Sequence, residues 1–355
     1  METTSGCLYF SGTLLFFAYI CTSQTKQTKN MKHPETILIT GANGQIGSVL
    51  VHALRNAYGD NAVLATDIRR PLEDSGPFEI LDVLYPSRFK ELAERYRITQ
   101  IYHLAAILSA KGEQHPQQAW DINMRGLFNV LELARERNLR VFFPSSIAVF
   151  GPSTPRVRTP QDTVTQPTTV YGISKGAGEN WCQYYYLRYG VDTRSVRYPG
   201  IIGYQSLPGG GTTDYAVEIF HEAIKGKSYS CFLKPDASLP MLYMDDAIRA
   251  TLELMQAPED QIKIRTSYNL AGDSFSPAEL AEAIRQHIPG FHIQYAPDFR
   301  QQIAESWPAS IDDSKARADW GWNPRFDLSA MVRDMLERLA AHYVVKIPGL
   351  GTSHP

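Results

Sequence analysis

Hydrophobic positions along this chain fall into two alternating rhythms. Short runs rich in branched and aromatic residues, at 36–40 (TILIT), 61–66, 78–81, 100–104 and 140–143, predict buried strands. Between them apolar residues recur every three or four positions, as Ile46, Val49, Leu50 and Ala53 do after the first run, which predicts amphipathic helices. A shorter helix is expected around 91–96 and two long ones over 119–137 and 171–189, the second stopped by Gly190. A sixth strand over 193–198 is broken by Pro199-Gly200. Strands and helices taking turns in this way predict a parallel sheet covered on both faces, a Rossmann-type doubly wound α/β architecture.

After Tyr204 the rhythm loosens. A Pro-Gly-Gly-Gly loop at 208–211 precedes a helix over 215–224, and later segments are short and punctuated by Pro240, Pro277, Pro289, Pro308 and Pro324. The expectation is a sheet domain over 31–204, to which part of the later chain returns. A smaller, dependent C-terminal lobe over 205–345 and a tail over 346–355 complete it. Residues 1–30 read differently. Their apolar stretch, 7–21, is shorter than the roughly 20 residues of a comfortable membrane span. Glu2 is acidic and the stretch contains no arginine, unlike signal and mitochondrial leaders. Met31 as the functional start, or 1–30 as a dispensable leader, is the preferred reading, with a targeting role as the rival.

Composition changes this picture little. With 43% hydrophobic and 20% charged residues the 355-residue chain has ample core, and a net charge of −2 gives no electrostatic reason for nucleic acid or an anionic membrane as partner. Cys7, Cys21, Cys182 and Cys231 form no C-x-x-C pair, so no metal or disulfide framework is expected; Cys182 reads as a core residue.

The chemistry lies at the ends of the strands. Gly41-Ala42-Asn43-Gly44-Gln45-Ile46-Gly47 follows the first strand and opens the first helix, where backbone N–H groups and the helix N-terminus suit a pyrophosphate. Asp67, twenty residues after Gly47, ends the second strand where a carboxylate accepts from the adenosine ribose hydroxyls and repels the extra phosphate of NADP. Arg69 and Arg70 pull the other way, and the balance is read as NAD. Asp82-Val83 ends the third strand, where it is expected to flank adenine, and Leu104-Ala105-Ala106 ends the fourth with small residues beside the cofactor; core packing is the alternative for both.

Tyr171 and Lys175 stand four apart on one helix face. The lysine charge is expected to lower the Tyr171 pKa toward neutrality, so that a phenolate takes a proton from a substrate hydroxyl while hydride leaves the same carbon. Ser146 closes the fifth strand and is expected to hold the reacting oxygen, with Ser145 in support. His103, Trp120, Trp181, Trp320 and Trp322 read as packing residues, Asp245-Asp246 as a helix cap, and the Tyr184-Tyr185-Tyr186 run as part of a subunit interface.

With the glycine turn, Ser146 and the Tyr171/Lys175 pair in hand, the chain resembles the extended short-chain dehydrogenase/reductases over about 35–339. That resemblance implies a sheet of about seven strands and a catalytic set of Ser146, Tyr171 and Lys175, with Asn123 as fourth member. It also gives Lys175 a hold on the nicotinamide ribose, places Tyr198, Pro199 and Ile201 beside the nicotinamide, and implies a homodimer through the two long helices. Leu108-Ser109-Ala110-Lys111-Gly112-Glu113, Leu207 to Ala216, Ser306-Trp307-Pro308 and the 312–322 string resemble, more narrowly, the short-chain-type L-threonine 3-dehydrogenases. Phe150 departs from the tyrosine of many members. The implied reaction is NAD-dependent oxidation of L-threonine at Cβ to 2-amino-3-oxobutanoate. Ser109, Thr212 and Thr213 supply donors for the small zwitterion, and the glycine loop lets backbone approach it. A nucleotide-sugar epimerase or dehydratase, and a catalytically silent NAD-binding regulator, are the alternatives. The expected compartment is the cytoplasm, or the mitochondrion if residues 1–30 act as a leader.

Overall fold

The first strand, β1 (Ile37–Thr40), is buried at all four positions, the condition of a parallel strand with helices on both of its faces. The structure, a computed structural model, describes residues 35–71, 76–209 and 211–347; the expectations for 1–30, for Gly210 and for most of the 346–355 tail lie outside them. In chain order come α1 (Gln45–Tyr58), β2 (Val63–Asp67), β3 (Phe78–Ile80), α2 (Pro86–Arg95), β4 (Gln100–His103), α3 (Ser109–Gln114), α4 (Pro116–Arg137), β5 (Arg140–Ser146), α5 (Val170–Tyr189) and β6 (Thr193–Tyr198). The chain then passes through β7 (Gly200–Ile202), α6 (Tyr215–Ile224), β8 (Tyr229–Cys231), β9 (Leu239–Tyr243), α7 (Met244–Gln256) and β10 (Tyr268–Asn269). It finishes with β11 (Asp273–Phe275), α8 (Pro277–Arg285), β12 (Ile293–Tyr295), α9 (Arg300–Glu305), α10 (Ser314–Trp320) and α11 (Leu328–Tyr343).

Seven strands form one parallel sheet in the order β3-β2-β1-β4-β5-β6-β10. The order reverses between β1 and β4, and that switch point opens a crevice at the carboxyl ends of the strands. One face packs its apolar side chains against α1 and α7, the other against α2, α4 and α5. A third apolar cluster binds α6, α8 and α11 into the C-terminal lobe, whose strands make a three-stranded sheet, β11-β9-β7, and a pair, β12-β8. The lobe is sewn to the sheet domain twice. Strand β10 returns as the seventh strand, and residues 309–312 run beside 156–159. There the Arg156 carbonyl accepts from Ala309 and Ser310 N–H groups, and Thr159 exchanges backbone bonds with Ser310 and Asp312.

Several expectations change. Pro199-Gly200 does break β6, but the chain resumes at once as β7 in a different sheet, a strand too short for its period to be read. Asp245 and Asp246 do not cap α7: Tyr243 holds the cap position, and both aspartates lie in the first turn. There Asp246 accepts from the Arg325 and Phe326 N–H groups and pairs with Arg249. Trp322 is buried, whereas Trp120 and Trp181 on α4 and α5 are partly exposed, Trp181 packing edge-on against Phe128 and Tyr184. Cys182 is a buried, free thiol.

Candidate active site

The glycine turn is shaped by the crowding around it. Gly41 sits in the left-handed region at φ +69°, and a Cβ there would lie 2.7 Å from Ala105 N, so only glycine lets the turn press against the end of β4. Gly44 occupies the cap position of α1 without a side-chain cap bond, and the first turn of α1 carries no acidic residue. The helix therefore presents its N-terminus to the crevice without an acidic side chain of its own. Asp67 accepts from the backbone N–H groups of Asn43 at 3.0 Å and Ile68 at 2.8 Å, and the Asn43 amide donates to the Arg69 carbonyl. The carboxylate thus braces the turn from the tip of β2.

Downstream, α5 delivers the reactive pair. The Thr169 hydroxyl caps it, accepting from Gly172 N–H at 3.1 Å. Gly172 is required because a Cβ would meet the Ala148 carbonyl at 2.1 Å. That close approach sets Tyr171 and Lys175 against Ser145 and Ser146, and all four line one cavity of about 230 Å3. The Ser146 side chain stands beside the Tyr171 hydroxyl and favours its charged form, and its Oγ accepts from Ala148 N–H at 3.2 Å. Lys175 donates to the Pro144 carbonyl at 2.6 Å and lies over the Phe143 ring.

The expected electrostatics are corrected here. Burial pushes the Tyr171 phenol up to about 12, outweighing the Ser146 side chain, which favours phenolate. Burial likewise pulls Lys175 down to about 8, against the support of Cys182 and Glu179. The Lys175 charge does not offset the phenol's burial here: its ammonium is turned to Pro144 and stands 5.6 Å from the Tyr171 ring centre.

The other named residues divide. Asn123 accepts from Ile107 N–H and donates to the Ile107 carbonyl and Ser174 Oγ, and Ser174 donates to the Tyr171 carbonyl. It therefore splints α4 to the reactive end of α5 from outside the cavity. Ser145 lines the cavity wall, but its hydroxyl donates to Glu179 rather than to the cavity. Asp82 accepts from Leu84 N–H, and Val83 is buried against α4; neither lines the cavity. Leu104 and Ala106 do line it, while Ala105 supports Gly41. Tyr198, Pro199 and Ile201 form a further wall, the Tyr198 hydroxyl being engaged by Thr251 beneath it. His103 stays a core residue: its Nδ1 meets Thr40 Oγ1, and burial, with the Lys175 charge, pulls it down to about 3.

Ser109, Thr212 and Thr213 line the same cavity. Thr212 is 1% exposed, and its hydroxyl has no hydrogen-bond partner among the described residues, a state that favours a bound polar group. Asp214 and Trp307 complete the wall and were missed from sequence. Asp214 holds Gly211 N–H at 2.7 Å. Both lie inside the strings 207–216 and 306–308, but nothing in their spacing separates a wall residue from a loop residue.

A family model described as the NAD dependent epimerase/dehydratase family matches residues 37–271. The chain belongs to that family. A GalE-like L-threonine dehydrogenase from Cupriavidus necator is 58% identical, with a TM-score of 0.85 over 86% of this chain and 99% of that one. The L-threonine dehydrogenase from Phytophthora infestans is 50% identical, with a TM-score of 0.85 over 87% of this chain and 100% of that one. An uncharacterized epimerase/dehydratase of Staphylococcus saprophyticus is 52% identical over 308 residues, 85% of this chain and 96% of its own length.

The site suits the family's cofactor. A Cβ on Gly47 would come within 2.2 Å of the Gly41 carbonyl, so only glycine there lets the turn close into this tight cradle. Gly41, Gly44, Gln45, Ile46 and Gly47 line the cavity with the α1 N-terminus among them, and Asp67, outside the lining, braces the turn behind them. These residues would hold the pyrophosphate and adenosine of NAD, and Tyr198, Pro199 and Ile201 the nicotinamide end.

Proposed function

We propose that this chain oxidises L-threonine at Cβ with NAD, giving 2-amino-3-oxobutanoate, NADH and a proton. The observation that carries the reading is likeness at 50–58% identity to L-threonine dehydrogenases over nearly their whole length. The cavity is consistent with it. Among the described residues Lys175 is the one cation in its lining, which suits a small zwitterion better than the diphosphate of a nucleotide sugar. Ser109 and Thr212 supply hydroxyls for the substrate carboxylate, and Asp214 a negative charge for its ammonium group.

Ser146 holds the substrate hydroxyl toward Tyr171, which accepts its proton as the phenolate after giving up its own phenolic proton to solvent. Lys175 adds positive charge beside the phenol as that proton leaves. Trp307 closes the wall and excludes water. Bound NAD supplies the electron-pair acceptor and one further positive charge. Asn123, through Ser174 and the Tyr171 carbonyl, keeps the phenol in register. The exposed apolar side chains Trp120, Ile173, Trp181, Tyr184 and Leu187 on α4 and α5 are read as the seam of a homodimer, which light scattering of wild type and Trp181→Glu tests.

The test of function is NADH formation by purified protein given NAD with L-threonine, and separately with L-serine, L-allo-threonine and UDP-sugars. Selective turnover of L-threonine is expected. Turnover of a UDP-sugar without threonine oxidation overturns the reading while leaving the family intact.

A further inference from the structure

Behind the reactive pair lies a buried ion pair to which the chemistry above gives no role. Glu179 follows Lys175 by one turn on the same side of α5 and is 3% exposed. Arg197 on β6 grips both of its oxygens, Nε donating to Oε1 at 2.9 Å and Nη2 to Oε2 at 2.7 Å, and the Ser145 hydroxyl donates to Oε1 as well. Arg197 is itself fixed by the Gln161 carbonyl, Asn269 Oδ1 and the Phe150 ring. A buried pair of this kind adds little to stability, because desolvation offsets most of the attraction.

Its position is more informative. Around Lys175 the titratable groups are Tyr171, Glu179 and Cys182 on its own helix and His103 at the end of β4. Strand β5 contributes the uncharged Phe143 ring and Pro144 carbonyl, α4 the uncharged Asn123 splint, and β6 Arg197 behind Glu179. Burial keeps the Cys182 thiol and the His103 imidazole neutral. Glu179 is the one carboxylate in this set, and its charge supports the ammonium against burial.

We propose that Glu179 is a positioning residue for Lys175: its carboxylate, fixed by Arg197 and Ser145, sets the charge and register of the lysine that serves Tyr171. The inference rests on the reading of Tyr171 and Lys175 as the reactive pair. Ser145 then acts by aiming Glu179 rather than by touching substrate.

The test is the titration of Lys175 itself. In the full chain labelled with 13Cε-lysine, the Lys175 resonance is assigned by its loss in Lys175→Met and followed by NMR from about pH 6 to 11. Glu179→Gln keeps the shape, removes the charge and leaves Arg197 uncompensated. The Lys175 midpoint is expected to fall by about one pH unit, and the alkaline limb of kcat for threonine oxidation to fall with it. An unmoved midpoint, with activity reduced only in proportion to folded protein, overturns the proposal. If Glu179→Gln does not fold, Glu179→Asp withdraws the charge by one methylene and is expected to give a smaller fall in the same direction; no fall there overturns it equally. The Lys175 titration needs no substrate, so absence of threonine turnover in wild type sinks the proposed reaction alone.

Discussion

Strands β5 and β6 carry buried charge at both of their ends, and the two ends are built on opposite rules. At the amino ends, Asp192 is met by Arg140 at 2.9 Å, Arg194 at 2.9 Å and Arg265 at 2.6 Å. Arg194, fully buried, also donates to the carbonyls of Leu254, Met255 and Ala257 at the end of α7. At the carboxyl ends, Lys175 has one carbonyl and the face of an aromatic ring, and Thr212 has no partner for its hydroxyl among the described residues. The first end fastens four segments together. The second keeps one satisfied ion pair, Arg197 with Glu179, behind a cavity face on which Lys175 and the Thr212 hydroxyl are left with few partners.

Substitutions break this comparison in a graded order. The largest effect belongs to Tyr171→Phe, which deletes the proton acceptor. NADH formation with L-threonine is expected to fall by about a thousandfold or more, while NAD binding by calorimetry changes little; retained turnover removes Tyr171 from its role. Next come two changes of opposite sign. Asp192→Asn leaves buried arginines uncompensated and is expected to lose about 3 kcal/mol in urea unfolding, with turnover per folded molecule unchanged. Lys175→Met is expected to gain about 2 kcal/mol and lose activity.

The pH signs differ too. Burial pushes Asp192 up, but the hydrogen bonds and charges of Arg194 and Arg265 prevail and hold it below its ordinary value. Its contribution to stability is therefore complete above the unfolded value of about 4 and is lost as pH falls through the lower folded value. Lys175, at about 8 in the fold, burdens the fold below that pH, and the burden lifts between about pH 8 and 10 as the unfolded chain binds the extra proton. Thermal unfolding across pH checks both, since Asp192→Asn flattens the acid side and Lys175→Met the alkaline side. The smallest effect is Thr212→Val, expected to raise KM for L-threonine about tenfold with kcat within a few-fold. A fall in kcat alone would move Thr212 from binding to chemistry.

How much of this was written in the sequence follows from the range of each interaction. The glycine turn and the Tyr171/Lys175 pair are local: a strand end, a cap and a four-residue spacing suffice to read them. The sign of the Tyr171 shift is not local, because it depends on how deeply α5 is pressed onto β5 and on where the Lys175 ammonium turns. Ser145 looked like a substrate contact for the same reason; its partner Glu179 lies 34 residues away. Strands β7 and β10 were missed because three and two residues cannot show a period. Asp214 and Trp307 became wall residues only when the lobe folded back over the crevice.

That folding back has a consequence for how such a lobe can be exchanged. Thr159 pairs with Ile311 in a short parallel bridge, and Arg156 Nη1 reaches the Glu305 carbonyl. Trp307 lies between these two fastenings, and the loop they clamp leads directly into Thr169 and Tyr171. The wall that selects the ligand and the hinge that aims the phenol are thus a single mechanical part. A chimera that imports a relative's 205–345 segment to gain its selectivity must bring that relative's 151–169 loop as well, or the new wall will stand over a misaligned base.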